Sequence, residues 1–326
     1  MYNSELKSKF IAEYTSAIEM AKSCVTFFDF TEKFEAQRSA DLCTFSAADL
    51  QQVADNMMTA RSGGSRTRLS ILRKYLIWCM SHGIDGARNE FKKIIVSNLD
   101  KIKRSMFSGP LQLQKFLNSA LSPESEQQTD NCTRCIFWLI YGGMKIENLN
   151  RVLVSDVKLE DMIVSYDGDE YPIYREGMAA FKNCKRLTQF LYTHHSAAGN
   201  DYEVMRDRCA GKELIRGVRS VPSIATIRSL ITKTSVQSSE STGVEVRYSN
   251  YNVWLSGLFF RMYETEQYVG HISFIGAAND LVQGKKYKYG DVTEDKRKTL
   301  DFARRNNYAK QYLMDYQNWK DAFDLN

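Results

Sequence analysis

Arginines and lysines at helical spacing are the side chains of this chain best placed to do chemistry, and the chemistry is the binding of oxyanions. Over 66–79, Leu69, Leu72, Leu76 and Cys79 recur at three- and four-residue steps, whereas Arg66, Ser70, Arg73 and Lys74 fall on the opposite side of the same helix. An arginine fork can hold two phosphate oxygens at once, and a serine hydroxyl adds a short donor. Arg61 and Arg68 add to this group, and Lys92, Lys93, Lys101, Lys103 and Arg104 form a second cluster. The charge is local: residues 1–60 carry five Lys/Arg against nine Asp/Glu, a net of −4, and 61–104 carry eleven against three, a net of +8, within a chain whose total is +5. Such a patch commonly meets phosphate, because each neutralised phosphate releases condensed counterions. The alternative is a basic surface that is merely solvated.

Other candidate chemistry is thinner. The stretch YGGMKIENL at 141–149, followed by Asp156 and Val157, puts Lys145 just after a glycine pair. Gly142 and Gly143 read as a tight turn joining buried elements, so Gly143→Glu is expected to damage folding first. Seven cysteines, an odd number, argue for reduced thiols. Cys132 and Cys135 form one CxxC with no second Cys or His pair near it, which reads as one face of a buried helix with Ile136 and Leu139. No metal site and no cofactor are expected. No apolar run approaches the roughly 20 residues that span a bilayer, and the N-terminus has no signal-peptide pattern, so a soluble, cytoplasmic protein is expected.

These residues need a scaffold of two domains, given 326 residues. Apolar spacing predicts helices over 4–23 and 25–39, and Ser46 with Asp49 reads as a capped helix start before Leu50 and Val53. The run 62–65 (Ser-Gly-Gly-Ser) is expected to be a turn feeding the basic helix, and Gly109, Pro110 and the polar stretch 122–130 to mark a linker, with the boundary near 105. Beyond it the pattern predicts a buried helix over 132–141, strands over 152–157 and 161–165, and a turn at 166–170 leading into 171–174. The rest is expected to be mostly helical, with flexible polar insertions at 194–201 and 235–243.

This layout resembles the phage integrases, the tyrosine recombinase family. SRTRLSILRKYLIWCMSHGI (65–84) is similar to a helix of that family's core-binding domain, and LIYGGMKIENLNRVLVSDVKLEDMIV (139–164) looks like its first catalytic box. The resemblance implies a mainly α, two-domain recombinase-like fold: a helical, SAM-like core-binding DNA-binding domain over 1–105, and an α-rich catalytic-like domain with a small antiparallel sheet over 106–326. It also shows departures. Where the family has its first phosphate-clamping arginine this chain has Lys145, and the acidic partner position holds Asn148. The hairpin that would carry a catalytic lysine has an acidic turn, Asp167, Gly168, Asp169 and Glu170. None of His82, His194, His195 and His271 has an arginine three residues on, and in YSNYNVWLSGLFFRMY (248–263) Asn252 or a neighbour stands in the second box. After Val269, Gly270 and His271, the position expected for the tyrosine nucleophile is Asp280; Tyr287 and Tyr289, among Lys285, Lys286 and Lys288, are the nearest substitutes.

Within the family, the chain is similar to integrase-like proteins of SP-beta-type prophages that keep the fold but act as transcriptional repressors, in its length, its domain order, its Ser256-Gly257 segment and its aromatic tail. The resemblance therefore implies a sequence-specific double-stranded DNA-binding repressor that maintains lysogeny and does not cleave DNA, nucleoid-associated in a bacterial host. Catalytic residues: none. The first domain would hold phosphates through its basic helix and lysine cluster. The second would add Lys145, Lys182, Lys185, Arg186, Arg216, Arg219 and Arg228, together with Lys285, Lys286 and Lys288. The expected partners are operator DNA and a peptide or protein antagonist, with no membrane partner and self-association left open. Two alternatives stand beside this reading: an active, divergent recombinase using Tyr287 or Tyr289, and an architectural or protein-interaction factor whose basic face is incidental. The tail aromatics Tyr308, Tyr312, Tyr316, Trp319 and Phe323 recur at helical steps and would dock on their own chain or on a neighbour.

Overall fold

The structure, a computed structural model, describes residues 1–60, 62–122, 130–194, 202–273 and 293–325. Arg61, His195, Asp280, Lys285, Lys286, Tyr287, Lys288 and Tyr289 lie outside the described residues. The chain forms two compact units, one of Met1–Ile102 and Ala277–Ala322, the other of Lys103–Gly276 and Phe323–Asn326. The fold is mainly helical with a small antiparallel sheet, as the periodicity predicts.

The first unit is built on α1 (Ser4–Tyr14), α2 (Ile18–Arg38), α3 (Ala47–Met57) and α4 (Ser62–Ser81). Two N-terminal helices are present, but the break between them falls at 15–17, where Thr15 is extended, and not at 24, which lies inside α2. Ser46 starts α3 with a full capping box, its hydroxyl accepting from the Asp49 amide and the Asp49 carboxylate accepting from the Ser46 amide. Phe10, Phe28 and Tyr75 meet with ring centroids 5.0–5.9 Å apart and bring α1, α2 and α4 together. Inside this core Lys7 and Glu35 form a fully buried ion pair 2.5 Å long, and Glu35 also accepts from the Thr31 hydroxyl and the Leu42 amide. The run 62–65 is not the expected turn. It is the first turn of α4, and the hydroxyl of Ser65 in that turn accepts from the Thr59 amide at 3.0 Å.

The second unit begins within α5 (Leu99–Ser105) and continues through α6 (Pro110–Ala120), α7 (Asp130–Tyr141) and α8 (Met178–Arg186) to α9 (Ile224–Thr242) and α10 (Asn250–Val269). Every residue of α7 from Asn131 to Tyr141 is buried, so this helix is the axis of the unit. Cys132 on α7 lies 3.4 Å from Cys184 on α8, sulfur to sulfur, and both thiols are free. Strands β1 (Val157–Lys158), β2 (Ile163–Tyr166) and β3 (Asp169–Pro172) form an antiparallel sheet in that order, with Tyr166 opposite Asp169. The hairpin turn is only two residues, Asp167 and Gly168, both at positive φ, the geometry that matches strand twist.

Three local expectations fail. Residues 152–157 are not a strand: Leu153 makes an isolated antiparallel bridge to Glu213, Val154–Asp156 close a single helical turn in which the Asp156 carboxylate accepts from the Leu153 amide, and only Val157 enters the sheet. Residues 235–242 are the last two turns of α9, where Ser235, Ser239 and Thr242 return their hydroxyls to carbonyls four residues back, so a serine-rich run reads as a loop but folds as helix. A two-stranded antiparallel hairpin, β4 (Gln189–His194) with β5 (Tyr202–Asp207), occupies a region expected to be helical. The last helix, α11 (Glu294–Ala322), groups with the first unit rather than with the residues that precede it. Its Tyr312, Tyr316 and Trp319 are buried within the chain, at 3%, 4% and 0% exposure.

Candidate nucleic-acid interface

Helix α4 owes its position to one face. Leu69, Ile71, Leu72, Tyr75, Leu76 and Cys79 are buried, and Tyr75 anchors the helix by donating its hydroxyl to Asp41 at 2.9 Å. With that face committed, the 3.6-residue period forces Arg66, Ser70, Arg73 and Lys74 into solvent, and all four are exposed. The helix contains four Lys/Arg and no Asp or Glu, so nothing on it neutralises them.

The neighbours of these cations orient them without cancelling their charge. The ammonium of Lys74 lies 4.7 Å from the centre of the Tyr14 ring, and the Arg68 guanidinium 5.5 Å from that of Phe30. Such contacts hold the stem while the net charge survives. Arg66 touches the sulfur of Met314 on α11 at 2.9 Å, and Gly63 sits where a β-carbon would meet Gln311 of the same helix. The final helix therefore borders the N-terminal end of the basic face, and Arg73 and Lys74 lie farther along α4. Arg68 is half-buried and stands apart from the exposed group.

The second basic cluster is exposed as well. Lys92 and Lys93 lie on the short helix Phe91–Lys93, where Lys93 pairs with Glu90 at 2.6 Å, and Lys101, Lys103 and Arg104 extend from α5.

The cations of the second unit behave differently. Lys145 is exposed at the start of the short helix Ile146–Arg151. The glycine turn before it is a packed joint. Gly143 has a φ of 112°, a conformation L side chains rarely adopt, and a β-carbon on Gly142 would stand 2.9 Å from the Pro172 carbonyl. Helix α10 grips this turn: the Trp254 indole donates to the Gly143 carbonyl at 3.0 Å and Arg261 donates to the Tyr141 carbonyl at 2.7 Å. Gly257 lies against Tyr141 so closely that no β-carbon fits. An arginine thus does reach the box, but it binds the C-terminal end of α7 and stabilises the helix there. Burial pushes the Tyr141 phenol well above its ordinary range and keeps it neutral.

Other expected contacts are also engaged. The Lys185 ammonium donates to the Val157 carbonyl at 2.6 Å, and Arg216 donates to the carbonyls of Cys209 and Gly211 at 3.2 and 2.6 Å. Arg228 faces Glu147 at 3.7 Å. Lys182 and Arg186 are exposed on α8, and the hairpin turn presents Asp167, Asp169 and Glu170 to solvent. Arg219 lines a cavity together with Arg206 of β5. Sequence reasoning missed both Arg261, hidden in an apolar run, and Arg206, whose hairpin strands QFLYTH and YEVMRD do not alternate apolar with polar residues strictly enough to stand out.

These elements define a mainly helical protein of two-domain, recombinase-like layout, with an unneutralised basic helix in its first domain. Residues 1–81 match the family model described as MrpR, N-terminal core-binding domain. The matched segment runs from α1 through the last residue of α4 and so contains the whole basic face. No match to a curated protein was found. Among the described residues, no helix is long and apolar enough to cross a membrane.

Proposed function

We propose that this protein is a sequence-specific double-stranded DNA-binding regulator, a prophage-type repressor that keeps the lysogenic state, and that it holds DNA without cutting it. The observation that carries the reading is the basic face of α4: exposed, free of carboxylates, and located in the segment similar to a core-binding domain. Phosphate contacts of this kind supply affinity and register, while base edges supply specificity.

The absence of cleavage is part of the proposal and rests on the box. Transferring a phosphoryl group needs preorganised donors around the developing charge, and losing one such donor commonly costs a factor of 100 or more. Here Lys145 is a point charge without a fork, Arg261 is bound to a backbone carbonyl, and the adjacent hairpin turn is acidic. A peptide or protein antagonist would release the repressor from its operators.

The test starts with the full-length protein and a random duplex pool. Enrichment of a defined sequence is expected, and Arg66→Glu combined with Arg73→Glu is expected to weaken binding to it at least 100-fold while the protein melts normally. No enrichment, or unchanged affinity in that variant, would leave the basic face incidental. Incubation with a nicked suicide duplex separates the recombinase reading: a covalent adduct lost in Tyr287→Phe or Tyr289→Phe would overturn the non-cleaving proposal.

A further inference from the structure

The second unit contains a cavity of about 840 Å³ whose polar lining is cationic and hydroxylic. Arg206 enters it from β5, paired across the hairpin with Phe190, and Arg219 enters from the loop before α9. Ser220, Ser223 and Thr226 complete its polar wall, and among the described residues no carboxylate lines it. Strand alternation explains the missing acid: Asp207, next to Arg206, points to the other side of the hairpin and accepts from Gln189 at 2.7 Å. Neither Arg206 nor Arg219 has an ion-pair or carbonyl partner among the described residues, in contrast to Arg208, Arg216, Arg228 and Arg261.

Two exposed arginines lining one concavity with hydroxyl donors fit a phosphate, which offers several acceptor oxygens around one centre. The volume greatly exceeds a single phosphate group and admits a stretch of sugar-phosphate chain. The one ring in the lining, Phe190, is 2% exposed and cannot stack a nucleobase, which disfavours a free nucleotide. We propose that this cavity takes a phosphate of the DNA backbone, giving the second unit a DNA contact of its own, separate from the box around Lys145. The proposal rests on the DNA-binding reading above.

The experiment uses full-length protein and a fluorescein-labelled duplex carrying the selected sequence, with affinity read by anisotropy over a series of KCl concentrations. Arg206→Ala with Arg219→Ala is expected to melt like the wild type, to bind about tenfold or more weakly, and to reduce the slope of log affinity against log salt by about two units. If the double variant loses its cooperative melt, Arg206→Gln and Arg219→Gln are measured singly, each expected to reduce the slope by about one. Unchanged affinity and slope, while Arg73→Ala still weakens binding, would overturn the cavity contact and leave the DNA-binding reading standing. Failure of the wild type to bind any duplex would remove both. Inorganic phosphate is the second probe: a rise in melting temperature that these substitutions abolish, with DNA affinity untouched, would make the cavity a small-anion site and overturn the proposal.

Discussion

Helix α4 and the glycine turn at Lys145 both present cations beside a frame of apolar packing, yet they use positive charge in opposite ways. On α4 the core takes Leu72, Tyr75 and Leu76, and the arginines and lysines are left in solvent, steadied by rings and by a methionine sulfur. In the second unit several guanidinium groups act as internal staples. Arg208 is 8% exposed and donates to the carbonyls of Cys184, Leu187 and Leu214, and Arg261 caps α7. A carbonyl partner leaves the formal charge intact but fixes the fork, so it cannot grasp two phosphate oxygens. Net charge alone therefore overstates how much of the second unit is available to DNA.

The largest effect tests whether the turn is a packed joint. Gly257→Ala would place a β-carbon 1.7 Å from the Tyr141 carbonyl oxygen, so a loss of about 4 kcal/mol or more, or failure to fold, is expected in urea titration. Near-native stability would mean α10 and the turn can separate.

Lys7→Met follows, since Lys7 is a first-unit cation used in the second unit's internal manner. Removing it leaves Glu35 buried without its counter-charge, at a cost of about 3–5 kcal/mol near pH 8. Burial, the dominant influence, holds the Glu35 carboxyl above its usual range despite Lys7. A carboxyl raised in the fold contributes stability in acid that is lost as pH rises through the raised value. Without Lys7 that value climbs further, so the variant should lose clearly less stability near pH 4 than near pH 8. A pH-independent loss would show that the pair matters only by packing.

Arg208→Met takes the guanidinium donor from three carbonyls, of which that of Leu214 keeps the Cys184 thiol, and a destabilisation of about 2–4 kcal/mol is expected with no change in the salt slope of the folded protein. Arg73→Ala should show the reverse: stability within about 0.5 kcal/mol of wild type and roughly tenfold weaker DNA binding. If Arg73→Ala destabilised the fold as much as Arg208→Met, the contrast between the two regions would collapse. The smallest effect is a refinement. Lys92→Ala should lower the salt slope by about one unit and Lys93→Ala by less, because Glu90 already sits 2.6 Å from Lys93.

Much of this contrast was legible beforehand where a single periodicity governs. The basic face of α4 follows from the spacing of Leu69, Leu72, Leu76 and Cys79, and the buried character of α7 from an uninterrupted apolar run. The capping box at Ser46 and the acidic hairpin turn were also readable, because turn and cap chemistry is local. Local signals misled where partners are remote. The paired strands 189–194 and 202–207 lack a strict apolar-polar alternation, and the serines of α9 look like loop until their hydroxyls are seen returning to their own helix. The run 62–65 reads as a turn, although its glycines begin a helix closely approached by Gln311, far along the chain.

By itself the sequence determined a mainly helical chain with a small sheet, a helix with a basic face, and a glycine turn followed by Lys145, since all three depend on residue identity and short spacing. The partner of each cation was decided only by tertiary structure. Arg68 and Arg73 are equivalent by composition, as are Arg216 and Arg219, yet the fold gives Arg68 a ring and Arg216 two carbonyls while leaving Arg73 in solvent and Arg219 in a cavity. The reason is reach: a guanidinium on a long stem takes whichever acceptor long-range packing brings near, and no local pattern records which acceptor that will be.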